Sequence, residues 1–178
     1  MKQELLELLK RDAWYRGEVK LSSGKTSNFY IDVRRVSLSS EGIYLISRLV
    51  WDAIKDEGIT AIGGPTLGAD PIVAGVCMLA HMDKKNLKGF LIRKTPKSHG
   101  RQQLIEGKEL SEGERVVIID DVATSGSSLI TAIEILQKEN IEIVKAVSVI
   151  DREEGATENL TKFNCPLVSL LKKSDFFD

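Results

Sequence analysis

Two adjacent aspartates, Asp120 and Asp121, close the apolar run Val116 to Ile119 in the stretch RVVIIDDVATSGSSLITAIEIL. Thr124, Ser125, Gly126, Ser127 and Ser128 follow, and an amphipathic run begins behind them. A loop that opens a helix offers N–H groups with no intrahelical partner and a partial positive charge. Gly126 lets the backbone approach a ligand closely or take φ > 0, and the four hydroxyls add donors. Together Thr124, Ser125, Gly126, Ser127 and Ser128 offer a cradle for a dianionic phosphate. It contains neither the GxxxxGK[ST] of a Walker loop nor GxGxxG.

The two carboxylates repel a phosphate, so another part of the ligand must satisfy them. Vicinal hydroxyls, a divalent cation or a developing positive charge would each do so. A ribose 5-phosphate offers both needs within a few ångströms: its phosphate suits the cradle, and its 2′- and 3′-hydroxyls can donate to Asp120 and Asp121. Two plainer alternatives stand beside this one. The acids could be solvated polarity or the Mg²⁺ pair of a phosphoacceptor domain, and TSGSS could be only an N-cap and a tight turn.

The elements that must hold these residues can be read from hydrophobic period. Leu5, Leu6, Leu8 and Leu9 share one face of a first helix, expected to end near Gly17. Val19 and Leu21, then Phe29, Ile31 and Val33, alternate around a Ser/Gly turn as a hairpin does. Residues 41–57 place Ile43, Ile46, Leu49, Val50, Ala53 and Ile54 on one side of a helix, with Ser40 as N-cap and Gly58 as stop. ITAIGG is a short strand. DPIVAGVCMLAHM is a helix capped by Asp70 with Pro71 at its first position. GFLIR, RVVIID, IVKAVSVID and PLVSLLKK are further strands, and a helix spans about 128–139. Strands alternating with helices predict an α/β fold with a mostly parallel sheet flanked by helices. Ligands in such sheets sit beyond the carboxyl ends of the strands, at GGPTLGAD, DDVATSGSS and DREEG here. Residues 94–114 have little apolar periodicity, as in a lid. The first part, RKTPKSHGR, carries Arg93, Lys94, Lys97, His99 and Arg101 with no acid between them.

Composition bounds the rest. The 178 residues are 42% hydrophobic and 29% charged, as in a soluble single domain, and the net charge of −1 gives no reason to expect nucleic acid or an anionic membrane as partner. Cys77 and Cys165 form no CxxC pair, which fits two buried small residues in a reducing compartment. No stretch approaches the ~18 apolar residues of a membrane span. The N-terminal leucines are interrupted by acids, unlike a signal or transit peptide. The expected location is cytoplasmic.

VVIIDDVATSGSS resembles the phosphoribosyl-pyrophosphate (PRPP) signature of type I phosphoribosyltransferases, whose fold is a Rossmann-like sheet with a small N-terminal hood. The rest of the chain is similar to orotate phosphoribosyltransferase. LSSGKTSNFYIDVR resembles the segment that closes over the orotate ring, GGPTLGADPIVAGV the pyrophosphate-side loop and helix, IRKTPKSHG the mobile catalytic loop, and VIDREEGA a strand ending in an Asp-Arg pair. The resemblance implies one domain over 1–178, with a helix-and-hairpin hood at 1–36 and a mobile catalytic loop at 93–114. It implies that orotate and PRPP give orotidine 5′-monophosphate and pyrophosphate, with Mg²⁺ carried by PRPP and no direct protein ligands to the metal. Arg93, Lys94, Lys97 and His99 would clamp pyrophosphate. Lys97, His99, Asp120 and Asp121 would be catalytic, and residues Val122 to Ser128 would bind PRPP. Thr124 and Arg152 would bind orotate, the guanidinium pairing with its carboxylate.

Tyr30 is expected to be half-buried packing. The resemblance further implies a homodimer with the loop shared between neighbouring sites. Many relatives carry a lysine at the position of Ser22 and another near Gly68, and this chain has neither. A regulator of the same fold that binds nucleotides or nucleic acid, or an enzyme for another base, are the competing expectations.

Overall fold

A computed structural model of the chain describes residues 1–20, 26–95 and 104–177. Helix α1 (Lys2–Asp12) buries Leu5, Leu6, Leu8 and Leu9, and Lys10 and Arg11 occupy its last turn, where cations oppose the helix dipole favourably. It ends well before Gly17. That glycine lies inside strand β1 (Trp14–Lys20), at φ 152°, where the pairing with β2 (Thr26–Ile31) shifts register between Arg16 and Val19. Gly17 therefore marks a strand irregularity and not a helix stop, a distinction invisible in a lone glycine. The turn between β1 and β2 falls outside the described residues. Val33, expected in the second strand, instead precedes the short helix α2 (Arg34–Ser37).

Helix α3 (Ser40–Ile54) is capped by Ser39, one residue before the expected Ser40, whose hydroxyl accepts from the Gly42 N–H at 3.1 Å. The helix gives way at Lys55, ahead of Gly58. Strand β3 (Ala61–Pro65) leads into α4 (Ala69–Met82). Gly68 takes the N-cap position, so Asp70 lies in the first turn and makes no cap, and one of its carboxylate oxygens is buried without a partner among the described residues. Burial pushes the Asp70 carboxyl above its ordinary value.

Strand β4 (Lys88–Ile92) is followed by β5 (Ile105–Gly107), which folds back on it antiparallel, Ile92 opposite Ile105. The reading of residues 94–114 as a lid without regular structure is corrected for Ile105–Gly107, which form a strand. Three residues are too few to display a period of two, so β5 leaves no sequence pattern. Strand β6 (Arg115–Ala123), helix α5 (Ser127–Lys138), strand β7 (Glu142–Asp151), the one-turn α6 (Ala156–Thr161), strand β8 (Leu167–Lys172) and a 3₁₀ turn (Lys173–Phe176) complete the described chain.

Among the described residues the main sheet has the order β5-β4-β3-β6-β7-β8, parallel except for β5. It is covered on both faces, which is why β6 reads as a continuous apolar run. Val117 and Ile119 belong to the core with α1, α3 and α4, whereas Val116 and Ile118 pack with Leu129, Ile133 and Leu136 of α5. Strand order reverses at β3 and β6, since the chain passes from β3 to β4 on one side and from β6 to β7 on the other. The crevice above such a reversal is where open α/β sheets bind ligands.

Candidate active site

Strand β6 runs past both aspartates to Ala123, three residues beyond the expected end. Its ladder continues because Val122 and Ala123 pair with Ile150 and Asp151 of β7. Adjacent strand side chains point to opposite faces, and the two carboxylates accordingly meet different neighbours. Asp120 lines a cavity of about 70 Å³ together with Val122, Ala123, Thr124, Ser125, Gly126, Ser127 and Ser128. Asp121 lies against Gly68 in the β3–α4 loop, where an added Cβ would come within 2.5 Å of its Cγ and Oδ1. Gly68 is thus required by the approach of a carboxylate.

Each aspartate is fixed by the next backbone amide. The Asp121 N–H donates to Asp120 Oδ1 at 2.9 Å and the Val122 N–H to Asp121 Oδ1 at 2.8 Å. Asp120 is buried. Burial first, and the neighbouring Asp121 charge second, push its carboxyl well above the usual carboxylate range, while Lys94 pulls the other way.

The 124–128 loop is held from behind. Gly126 precedes α5 at φ 78°, a left-handed conformation that favours glycine. Asn159 of α6 donates to the Ser125 carbonyl at 3.0 Å, and the Arg152 N–H donates to the Ala123 carbonyl at 2.8 Å. The hydroxyls and the start of α5 surround a volume suited to one tetrahedral oxyanion.

A larger cavity of about 570 Å³ joins the pieces. Asp120, Asp121, Thr124 and Ser128 form its floor with Arg152, and Thr66, Leu67, Gly68 and Lys94 flank it. Tyr30, Asp32 and Arg34 line it from the hairpin side. Tyr30 is exposed at this wall and is not the half-buried packing residue expected. Arg152 is only 6% exposed, and its Nε donates to Glu154 Oε1 at 3.0 Å. A guanidinium this buried beside an open cavity suits a planar anionic group.

The adjoining cavity of about 620 Å³ has Arg34, Arg93 and Lys94 on its wall with Asp70 and Glu106. Arg93 has an acid for a neighbour after all, because β5 brings Glu106 to 3.9 Å from its Nη1. Lys97, His99 and Arg101 lie outside the described residues. Arg34, not singled out by sequence, faces both cavities and pairs with Asp32 at 2.8 Å. The pair Arg34–Arg35 directly after the hairpin is the signal that would have found it.

The chain matches the phosphoribosyl transferase domain family over residues 72–173. It is 42% identical to orotate phosphoribosyltransferase of Aquifex aeolicus over 156 residues, which are 88% of this chain and 85% of that protein. The Corynebacterium glutamicum (strain R) orotate phosphoribosyltransferase is also 42% identical, over 97% of this chain and 91% of its own. The fold superposes on the crystal structure of Mycobacterium tuberculosis orotate phosphoribosyltransferase in complex with PRPP with a TM-score of 0.82, at 33% identity and covering 99% of both chains.

Proposed function

The chain belongs to the orotate phosphoribosyltransferases, and from that membership we propose that it transfers the 5-phosphoribosyl group of PRPP to orotate. The products are orotidine 5′-monophosphate and pyrophosphate, a step of UMP biosynthesis. One observation carries the assignment: the anion-sized loop, two strand-end carboxylates and a buried arginine open onto one cavity.

Each part answers a charge in the reaction. The 5′-phosphate takes the 122–128 cradle. Breaking the bond at the anomeric carbon leaves positive charge on the ribose, which Asp120 and Asp121 face while holding its hydroxyls. Negative charge grows on pyrophosphate, opposite Arg93 and Lys94, with Lys97 and His99 of the same loop completing the clamp. Fixed charges placed where charge develops lower the barrier. Arg152 takes the orotate carboxylate and Thr124 reaches the ring. Among the described residues no group of three or more His, Cys, Asp or Glu side chains converges. Mg²⁺ would arrive with PRPP and would supply positive charge to the departing pyrophosphate beside Arg93 and Lys94.

Incubation with orotate, PRPP and Mg²⁺ should produce orotidine 5′-monophosphate and pyrophosphate in equal amounts. Consumption of PRPP with adenine or hypoxanthine but not with orotate would overturn the assignment. Gly68→Ala should keep the fold, by circular dichroism, and lower kcat about tenfold or more, because its Cβ displaces Asp121. Unchanged kcat would remove Asp121 from the chemistry.

The enzyme is proposed to be a cytoplasmic homodimer whose 93–101 loop covers the partner's site. Two free thiols, Cys77 and Cys165, suit a reducing compartment, and among the described residues no helix is long and apolar enough to cross a membrane. Reassociating Lys97→Ala with Asp121→Ala subunits should restore roughly a quarter of the sites. No recovery, with hybrid dimers verified by mass spectrometry, would confine the loop to its own subunit.

A further inference from the structure

Phe29 of β2 is buried and does not line the cavity, yet it touches the arginine that does. The Arg152 guanidinium lies over its ring, 4.7 Å from the centroid. Trp14 stacks on Phe29 at 5.0 Å with the planes 18° apart, and Phe176 stacks on Trp14 at 4.9 Å and 16°. A column of rings thus runs from the C-terminal 3₁₀ turn through the hairpin to the guanidinium.

The backbone beside Arg152 is tied to the same turn. Glu153 sits at φ 56°, and its carboxylate accepts from the Ser174 N–H at 2.9 Å and the Ser174 hydroxyl at 3.2 Å. A guanidinium carries all its N–H donors in its own plane, so a contact that fixes the group also fixes where they point. Glu154 accepts from Nε at 3.0 Å, a second contact on the guanidinium that Phe29 touches.

We infer that Phe29, backed by Trp14 and Phe176, is a positioning residue that sets the plane of the Arg152 guanidinium for the substrate carboxylate. The C-terminal turn and the hairpin are then parts of the device that selects an acidic base. This role rests on the proposal that Arg152 binds the orotate carboxylate, and the test separates the two.

The experiment is a double-mutant cycle with KM measured for orotate and for PRPP. Phe29→Leu should raise the orotate KM about 5- to 10-fold, between the scales of an exposed and a fully desolvated cation–π contact, and leave the PRPP KM within about twofold. Phe29→Met, with similar volume and no ring face, runs beside it should the leucine variant fold poorly. Phe29→Tyr, which keeps the ring, should recover most of the loss. In an Arg152→Ala background the Phe29 change should add less than about twofold, because the group it orients is gone. A Phe29 variant that raises both KM values alike, or costs the same factor without Arg152, would make Phe29 mere packing and overturn the inference. An unchanged orotate KM in Arg152→Ala alone would overturn the assignment of Arg152 itself, and the positioning role with it.

Discussion

Asp120→Asn is expected to lower kcat about 10²-fold while making the ligand-free protein more stable at neutral pH. The loss of rate follows from removing one preorganised charge where the ribose becomes cationic. The gain in stability follows from burial. The Asp120 carboxyl is held well above the usual range by desolvation and then by Asp121. A folded-state value above the unfolded one means that the native protein binds the extra proton between the two. The stability this site contributes is complete below the unfolded pKa, near 3.8, and is lost as pH rises through the raised folded value. Asparagine carries no charge to bury and keeps an oxygen to accept from the Asp121 N–H. Thermal melts across that range should therefore show a higher Tm for the variant near pH 7, by about 2–4 °C for each kcal/mol gained, and a smaller difference in acid. Asp121→Asn should lower kcat by a similar factor with a smaller rise in Tm, since it removes the repulsion between the two carboxylates but leaves Asp120 buried. A Tm that falls equally in both variants would contradict the different environments of the two carboxylates. This trade of stability for activity is common where a site holds charge out of water.

Arg152→Ala should raise the orotate KM about 10²-fold and leave the PRPP KM within about twofold. Truncating one member of a desolvated, charge-assisted pair costs about 2–5 kcal/mol, and the orotate carboxylate would then enter the cavity without its partner. The side chain is buried beside the cavity and far less hydrated than a surface arginine, so water cannot replace it at small cost. PRPP would keep the 122–128 loop and both aspartates. Steady-state kinetics with each substrate varied separately checks this. Equal rises in both KM values would place Arg152 in the general architecture of the site.

The difference between what sequence reveals and what it conceals can be traced to range of interaction. The strand ending in Asp120 and Asp121 and the hydroxyl-rich loop before α5 are local features, and period and residue type identify them. The basic run after β4 is equally local, but Lys97 and His99 within it lie outside the described residues. Gly17 is ambiguous because a glycine punctuates helices and irregular strands alike. Ser39 and Ser40 are chemically equivalent caps, and only the helix register chooses between them. Strand β5 is created by its pairing with β4 and has no pattern of its own. Gly68 has the same character: its need for a hydrogen side chain comes from Asp121, which lies 53 positions away in sequence and in contact in space. The contacts of Phe29 with Arg152 and with Trp14 join three separate elements, so no window of sequence contains them.

Orotate and uracil differ by the carboxylate that Arg152 is assigned to hold, and the ratio of their kcat/KM values with PRPP is the direct measure of that pairing. A site built to pair a substrate's polar group rejects the analogue lacking it by about 10⁴-fold. The wild-type enzyme should therefore favour orotate by at least about 10³-fold, and Arg152→Ala should remove most of that preference by losing activity on orotate. Comparable kcat/KM for uracil and orotate in the wild type, or an orotate preference that survives intact in Arg152→Ala, would contradict the assignment of this cavity to orotate.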